Sequence, residues 1–199
     1  MEIIINNFNH MKTLVLSYSR TGNNETLAES VSSELSADHI KISEPKGKTF
    51  FSIGLDMLLN RTPKVNPISA EFEDYDQVIF VGPVWMGHIA TPFRAYLNKY
   101  GESLKRYAYV SISGGPDGPN NGLAGELKKR TGKEPSAVIN LLIADILSGD
   151  TKPTREEIES YRLNKEDARK LTLNFIDVLK SWNIINHSNS SNKEGDSYG

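Results

Sequence analysis

The chain has 199 residues, of which 38% are hydrophobic and 24% charged, with a net charge of −2 and no cysteine. This size and composition are typical of one globular domain that buries about 70% of its unfolded surface without metal or disulfide support. The near-neutral charge argues against nucleic acid as the main partner, and the absence of cysteine excludes disulfides, thiol nucleophiles and clusters held by protein thiolates.

The two ends of the chain differ from its body. Residues 1–10 are interpreted as a leader or a native N-terminal extension, with Met11 as a candidate start. They have no basic region before their short apolar segment, so they make a poor signal peptide. No segment approaches the ~18 apolar residues of a membrane span. We therefore expect a cytoplasmic protein with one domain over residues 11–182, followed by a disordered Ser- and Asn-rich tail over residues 183–199.

Short apolar segments alternate with segments of helical periodicity along the body. The predicted strands are residues 13–18, 39–42, 77–82, 107–113 and 137–142, and the predicted helices are residues 25–35, 91–100, 123–131 and 154–182, the last in two pieces. Strands separated by helices favour right-handed crossovers and a parallel sheet. The fold class predicted is α/β, a three-layer doubly wound domain with a five-stranded parallel sheet.

The segment 44–67 is less regular than the rest of the body. Its apolar residues at 51, 55, 58 and 59 are spaced as on one face of a helix. One interpretation is the crossover helix between the second and third strands. The other is a flap over a ligand or a dimer surface, because Phe50, Ile53 and Met57 broaden the apolar face.

The first strand leads directly into a polar turn with one glycine, Gly22, and then into a helix. Backbone N–H groups at a helix start lack intrahelical partners and readily bind phosphate. Ser19, Thr21 and Asn23 add short polar side chains, and no lysine follows in the pattern of a nucleotide-hydrolysing loop. The turn therefore predicts a phosphate site, with an ordinary helix cap as the alternative.

Two further loops follow the third and fourth predicted strands. Residues 82–88 place Trp85 between two glycines, at the edge where open α/β sheets bind ligands. A tryptophan there is a good wall for a flat ring, unless it merely packs on Phe93 or on the segment 44–67. Residues 113–122 are rich in glycine, which lets backbone amides approach a planar ligand, unless this is a flexible surface loop.

Together these loops resemble those of the flavodoxin-like FMN-binding family, which includes flavodoxins and flavodoxin-domain NAD(P)H quinone reductases. Residues 19–24 resemble its phosphate loop, Thr/Ser-x-Thr-Gly-x-Thr, and Gly-Pro-Val-Trp-x-Gly at 82–87 resembles its second flavin loop. The resemblance covers residues 11–182 and implies the strand order 2-1-3-4-5 and FMN as cofactor. Asn24 departs from the pattern, because the family usually has a hydroxyl residue there, although an amide can still donate to phosphate.

The resemblance implies three groups of cofactor-binding residues. The phosphate would be held by Ser19, Arg20, Thr21, Gly22, Asn23 and Asn24. The isoalloxazine ring would lie against Pro83, Val84, Trp85, Met86 and Gly87, and its pyrimidine edge would meet Ser113, Gly114 and Gly115. His88 is either a titratable group beside the ring or a solvent-facing loop histidine. His39 and His187 have no metal-ligand spacing, so no metal site is expected.

The implied function is redox transfer by an FMN-dependent oxidoreductase, from NAD(P)H to quinone-like or other small acceptors. One alternative is a flavodoxin that carries single electrons between redox protein partners, and another is an interaction module without flavin. The small net charge lacks the acidic field that steers a carrier to basic partners, which favours the reductase. The apolar residues 50–59 are compatible with a homodimer.

Overall fold

A computed structural model describes residues 11–43, 66–68, 70–114, 121–149 and 151–194, with side chains as far as residue 181. The strands are β1 (Thr13–Ser17), β2 (Asp38–Lys41), β3 (Gln77–Val81), β4 (Val84–Trp85), β5 (His88–Ile89), β6 (Tyr107–Ser113) and β7 (Val138–Leu142). The helices are α1 (Asn23–Leu35), α2 (Thr91–Tyr100), α3 (Leu123–Thr131), α4 (Ile143–Leu147), α5 (Arg155–Ser160) and α6 (Lys165–Glu194), with one 3-10 turn at Phe72–Asp74.

Five strands form one parallel sheet in the order β2-β1-β3-β6-β7. Counted along the main sheet, this is 2-1-3-4-5, so the predicted topology is confirmed. Every residue of β1, β3 and β6 is buried, because helices cover both faces of the sheet. These strands are therefore mostly apolar in sequence, and their few polar residues are buried as well.

Two apolar cores lie on opposite faces of the sheet, as the alternation of side chains along a strand requires. Leu14 and Leu16 belong to the core that also contains Phe93 of α2 and Leu127 of α3. Val15 belongs to the other core, under α1 and α6, together with Leu27, Val31, Phe175 and Leu179. The result is the expected three-layer arrangement, with the carboxyl ends of β1, β3 and β6 at one edge.

The C-terminal part confirms the prediction of two helical pieces. The Thr154 hydroxyl accepts from the Glu157 N–H, and the Glu157 carboxylate accepts from the Thr154 N–H, a complete capping box that begins α5. Asn164 caps α6 by accepting from the Asp167 N–H at 2.9 Å. The side-chain caps at Thr154 and Asn164 thus mark the separate starts of α5 and α6.

Three features differ from the sequence-based expectations. The helix α6 continues to Glu194 instead of ending near residue 182, because the chain has no glycine or proline between residues 154 and 194. Residues 84–89 form a β-hairpin rather than an open loop, and α4 was not predicted. The predicted crossover helix or flap at 44–67 lies almost wholly outside the described residues.

Among the described residues, no helix has the length and apolar character needed to span a membrane.

Candidate functional site

The structure brings the three predicted loops together at the carboxyl edge of the sheet. The ring of Tyr18, which follows β1 and precedes the first loop, meets the ring of Trp85 in the second loop edge to face, with centroids 5.7 Å apart. The Val84 N–H donates to the hydroxyl of Ser113, which begins the third loop, at 2.9 Å. The loops therefore support one another directly and form one site.

The first loop presents an uncapped helix terminus. Gly22 is the N-cap of α1 with φ of 93°, a backbone conformation that favours glycine, and no side chain caps the helix. Within the described residues, the N–H groups of Asn23, Asn24 and Glu25 make no hydrogen bond. Three unsatisfied donors at the positive end of a helix form an arrangement that suits an anion.

The surroundings of these donors are polar and open. Arg20, Thr21 and Gly22 are exposed, and Ser19 is half-buried. The Gly22 N–H donates to the Ser19 hydroxyl at 3.1 Å, so this amide already has a partner inside the turn. Among the side chains of this turn that are predicted to bind phosphate, those of Arg20 and Thr21 are the most accessible to a ligand.

The side chains of Asn23 and Asn24 are buried and bound to other parts of the backbone. Asn23 accepts from the Leu163 N–H at 2.9 Å and donates to the Tyr161 carbonyl at 3.2 Å. Asn24 accepts from the Ile112 N–H at 2.9 Å and donates to the Ile112 carbonyl at 2.8 Å. The expectation that these amide side chains hold phosphate is therefore corrected, because both fasten α1 to neighbouring segments.

The acidic Glu25 lies in the first turn of α1, where its charge would oppose an anion. Its carboxylate forms an ion pair with Lys41, whose Nζ lies 2.7 Å from Oε1. The Ser17 hydroxyl joins the same cluster, 2.8 Å from Nε2 of His39, and burial lowers the pKa of His39. Lys41 therefore offsets part of the negative charge of Glu25 beside the turn.

The second loop is a hairpin with a two-residue turn. Val84 pairs with Ile89 and Trp85 with His88, and the turn residues Met86 and Gly87 both have positive φ, 48° and 79°. Positive φ at both central residues defines the type I′ turn of tight hairpins. Trp85 is half-buried at the base of this turn, whereas Met86 is 83% exposed at its tip.

The turn carries local strain at Met86, because a left-handed conformation costs a non-glycine residue roughly 1–2 kcal/mol. Asn-Gly is the preferred sequence for this turn. Met86→Asn should therefore stabilise the protein by about 1 kcal/mol and raise the melting temperature by about 2–4 °C. Thermal unfolding followed by circular dichroism measures the change.

Met86→Leu is the matched control, since leucine keeps an apolar side chain and the same backbone cost. It should leave the melting temperature close to that of the natural chain. A melting temperature for Met86→Asn that is unchanged or lower would show that the turn is not strained at this position.

The start of the second loop is held by hydrogen bonds from Tyr109 and by close packing at Gly82. The Tyr109 hydroxyl lies 3.0 Å from both the Gly82 and Pro83 carbonyls, and complete burial raises the pKa of Tyr109, so the hydroxyl keeps its proton. At Gly82 an added Cβ would lie 2.2 Å from a ring carbon of Phe93. Gly82 therefore allows the chain to pass close to α2.

The third loop is described at its first two and its last two residues. Ser113 is buried, with its hydroxyl bound to Val84, and the half-buried Gly114 accepts from the Ala144 N–H at 3.1 Å. Gly115 lies outside the described residues. Ser113 and Gly114 therefore connect the second loop to the start of α4.

A cluster of charged side chains beside the hairpin was not predicted. Glu126 of α3 lies at its centre: Oε1 is 3.4 Å from Nε of Arg94 and 2.9 Å from a terminal nitrogen of Arg130, and Oε2 is 3.1 Å from both the Ile89 N–H nitrogen and Nδ1 of His88. Arg94 is 2% exposed, and burial lowers its pKa while the charge of Glu126 opposes that shift. In sequence, Glu126 and Arg130 look like an ordinary surface pair four residues apart on a helix.

The same cluster borders a cavity of about 840 Å³ between the hairpin turn, α2 and α3. Its lining residues are Met86, Gly87, His88, Arg94, Asn98, Gly122, Gly125, Glu126, Lys129 and Arg130. Met86, Gly87 and His88 belong both to this cavity and to the predicted flavin loop. The cavity therefore adjoins the site formed by the three loops.

Comparison with known proteins yields structural relatives only. No protein-family model matches the chain, and no curated protein matches it. The crystal structure of a flavoprotein from Lactobacillus acidophilus NCFM in complex with FMN superposes with a TM-score of 0.57 at 23% identity, covering 65% of this chain and 93% of that chain. The apo form of the flavoprotein from the same organism gives 0.52 at 21% identity, covering 69% and 96%.

A protein from Bacteroides eggerthii DSM 20697 superposes over more of the chain, with a TM-score of 0.61 at 17% identity, covering 85% of this chain and 98% of that chain. The strand order of the main sheet is the one that characterises flavodoxins and their relatives. The chain therefore has the flavodoxin-like fold.

Proposed function

We propose that the protein binds FMN at the carboxyl edge of its sheet and transfers electrons from NAD(P)H to quinone-like acceptors. One observation carries the proposal: an uncapped helix terminus and a half-buried tryptophan lie in the same site, linked through Tyr18. The first suits a terminal phosphate and the second a flat ring. A relative of the same fold was crystallised with FMN, which supports this choice of ligand.

The residues present fit the cofactor in a defined way. The N–H groups of Asn23–Glu25, with the side chains of Ser19, Arg20 and Thr21, would hold the phosphate. Trp85, with Pro83, Val84, Met86 and Gly87, would line the ring, and the backbone at Ser113 and Gly114 would face its polar edge. When bound, FMN supplies the redox chemistry, and the protein supplies orientation and electrostatics.

The reaction balances as NAD(P)H plus one proton plus a quinone giving NAD(P)⁺ plus a hydroquinone. His88 is the titratable side chain of the hairpin and the candidate for proton exchange with the acceptor. Its Nδ1 is held by Glu126, and its Nε2 has no hydrogen bond with the described residues. Glu126 therefore fixes the ring of His88 and leaves the second nitrogen available.

The cofactor is tested first by reconstitution with flavins, followed by extraction and chromatography. FMN should be retained, because the first loop suits one terminal phosphate. Recovery of FAD, or of no flavin at all, would overturn the proposal. With FMN bound, steady consumption of NADH or NADPH in the presence of a quinone supports the reductase. FMN binding without turnover of either nucleotide would favour a one-electron carrier.

The two halves of the site are separated by a pair of substitutions. Thr21→Val removes an exposed hydroxyl and should weaken FMN at least tenfold, since a hydrogen bond to a charged group contributes about 1.5–3 kcal/mol, but should leave riboflavin nearly unchanged. Trp85→Ala removes the ring wall and should weaken both flavins, by roughly 1–3 kcal/mol on the scale of base–aromatic stacking. Fluorescence titration measures all four affinities.

Riboflavin is the internal control for the phosphate, because it has the ring and no phosphate. Equal losses for both flavins in Thr21→Val would place Thr21 in a structural turn. Unchanged affinities in Trp85→Ala would place the ring elsewhere.

A further inference from the structure

The cavity between the hairpin turn, α2 and α3 is large enough to hold a small molecule. Its volume of about 840 Å³ falls within the range of roughly 300–1,000 Å³ that is usual for ligand sites. It is formed by described residues of three separate elements, the hairpin turn, α2 and α3.

The walls of the cavity are rich in cations and hydrogen-bond donors. Arg94, Lys129, Arg130 and His88 all line it, whereas Glu126 is the one carboxylate among its lining residues. Both oxygens of Glu126 are already engaged by these arginines and the hairpin. Lys129 is exposed, and its ammonium forms no ion pair with the described residues. The cavity therefore offers positive charge to a ligand.

The wall that α3 contributes to the cavity has a glycine, Gly125, and therefore no side chain, at its centre. Gly125 lies inside α3, where glycine is less favourable than alanine. A Cβ added at Gly125 would meet nothing within 4 Å, so packing against the protein does not require glycine there. Any side chain at this position would instead occupy the cavity.

We propose that this cavity binds the anionic group of the electron acceptor, a planar compound that carries a sulfonate or carboxylate. Its Lys129 side binds the anion, and its Met86–Gly87 side adjoins the ring site. The planarity of this ligand and its identity as an acceptor rest on the proposed function, but the binding of an organic anion does not.

Binding is tested in the FMN-loaded protein, in which the three-loop site is occupied, and in the flavin-free protein, with two probes that differ in charge, naphthalene-2-sulfonate and the neutral naphthalene-2-sulfonamide. Titration followed by amide NMR shifts should show the sulfonate binding about tenfold more tightly, with shifts centred on Gly87 and Gly125. Equal affinities, or shifts centred elsewhere, would overturn the proposal.

Two substitutions with matched controls locate the site. Lys129→Gln should weaken the sulfonate about three- to tenfold, whereas Lys128→Gln, one residue earlier and paired with Glu134, should not. Gly125→Leu should project into the cavity and weaken binding of both probes at least threefold, whereas Ala124→Leu, which does not line the cavity, should have no effect. Equal effects of the two lysine substitutions would reduce the finding to general surface charge and overturn the proposal.

The link to the acceptor is tested separately in the FMN-loaded protein. Lys129→Gln should raise the KM for 1,4-naphthoquinone-2-sulfonate at least threefold relative to the KM for 1,4-naphthoquinone. An unchanged ratio would disconnect the cavity from the reaction. Sulfonate binding to a protein that retains no flavin would instead overturn the proposed function and leave the anion site standing.

Discussion

Glu126→Ala should lower the free energy of unfolding by about 3 kcal/mol, the low end of the range for breaking a buried ion pair. The carboxylate is 13% exposed and holds Arg94, which is 2% exposed, together with Arg130 and the Ile89 N–H. Its removal would leave a buried guanidinium without this counter-charge and a hairpin without its anchor on α3. Urea unfolding measures the loss, and hydrogen exchange at Ile89 should accelerate at the same time.

Glu134→Ala is the matched control on the same side of the molecule. Glu134 pairs with Lys128 on the surface, with both side chains more than half exposed, so its loss should cost less than about 1 kcal/mol. Comparable losses in the two variants would show that the Glu126 cluster contributes no more than a surface ion pair.

Asn24→Ala should also cost about 3 kcal/mol, because it leaves both the N–H and the carbonyl of Ile112 without their partner. Each buried polar group left unsatisfied costs about 1–3 kcal/mol. The strand β6 continues past the last residue of β3 that pairs with it, Val81, and Asn24 binds the backbone where the strand partner ends. An amide can donate and accept at once, as this position requires.

Asn24→Asp is the isosteric comparison. The carboxylate keeps the acceptor for the Ile112 N–H but sets a charge against the Ile112 carbonyl, so the loss at neutral pH should be at least as large. Protonation turns the carboxyl into a donor, so the loss relative to the natural chain should shrink as the pH falls. A stable Asn24→Ala protein that binds FMN poorly would show instead that the amide serves the ligand.

The same position explains how this chain departs from the phosphate-loop pattern that it resembles. The family's hydroxyl residue at this place is replaced by Asn24, whose side chain is 2% exposed and bound to β6. We therefore expect the backbone N–H of Asn24, and not its side chain, to contribute to phosphate binding. The replacement of the hydroxyl residue by Asn24 therefore changes how α1 is attached to β6.

The layer architecture and the edge that carries the site could be predicted from the residues in order. The segments that form β1, β3 and β6 are mostly apolar, and the segments between them have helical spacing, which together favour crossovers and a parallel sheet. Because parallel strands all end at one edge, the turns after them had to meet there. The convergence of Tyr18, Trp85 and Ser113 follows from that geometry.

The tertiary structure alone decided what the polar side chains near that edge do. Asn24 meets Ile112 and Glu126 meets Arg94 across 88 and 32 residues of chain, and no local spacing records such pairs. The hairpin was missed because Met-Gly is not a usual type I′ sequence, and its strands have only two residues each. Local periodicity reports which face of an element is apolar, whereas the partner of a buried polar group depends on how distant elements are brought together.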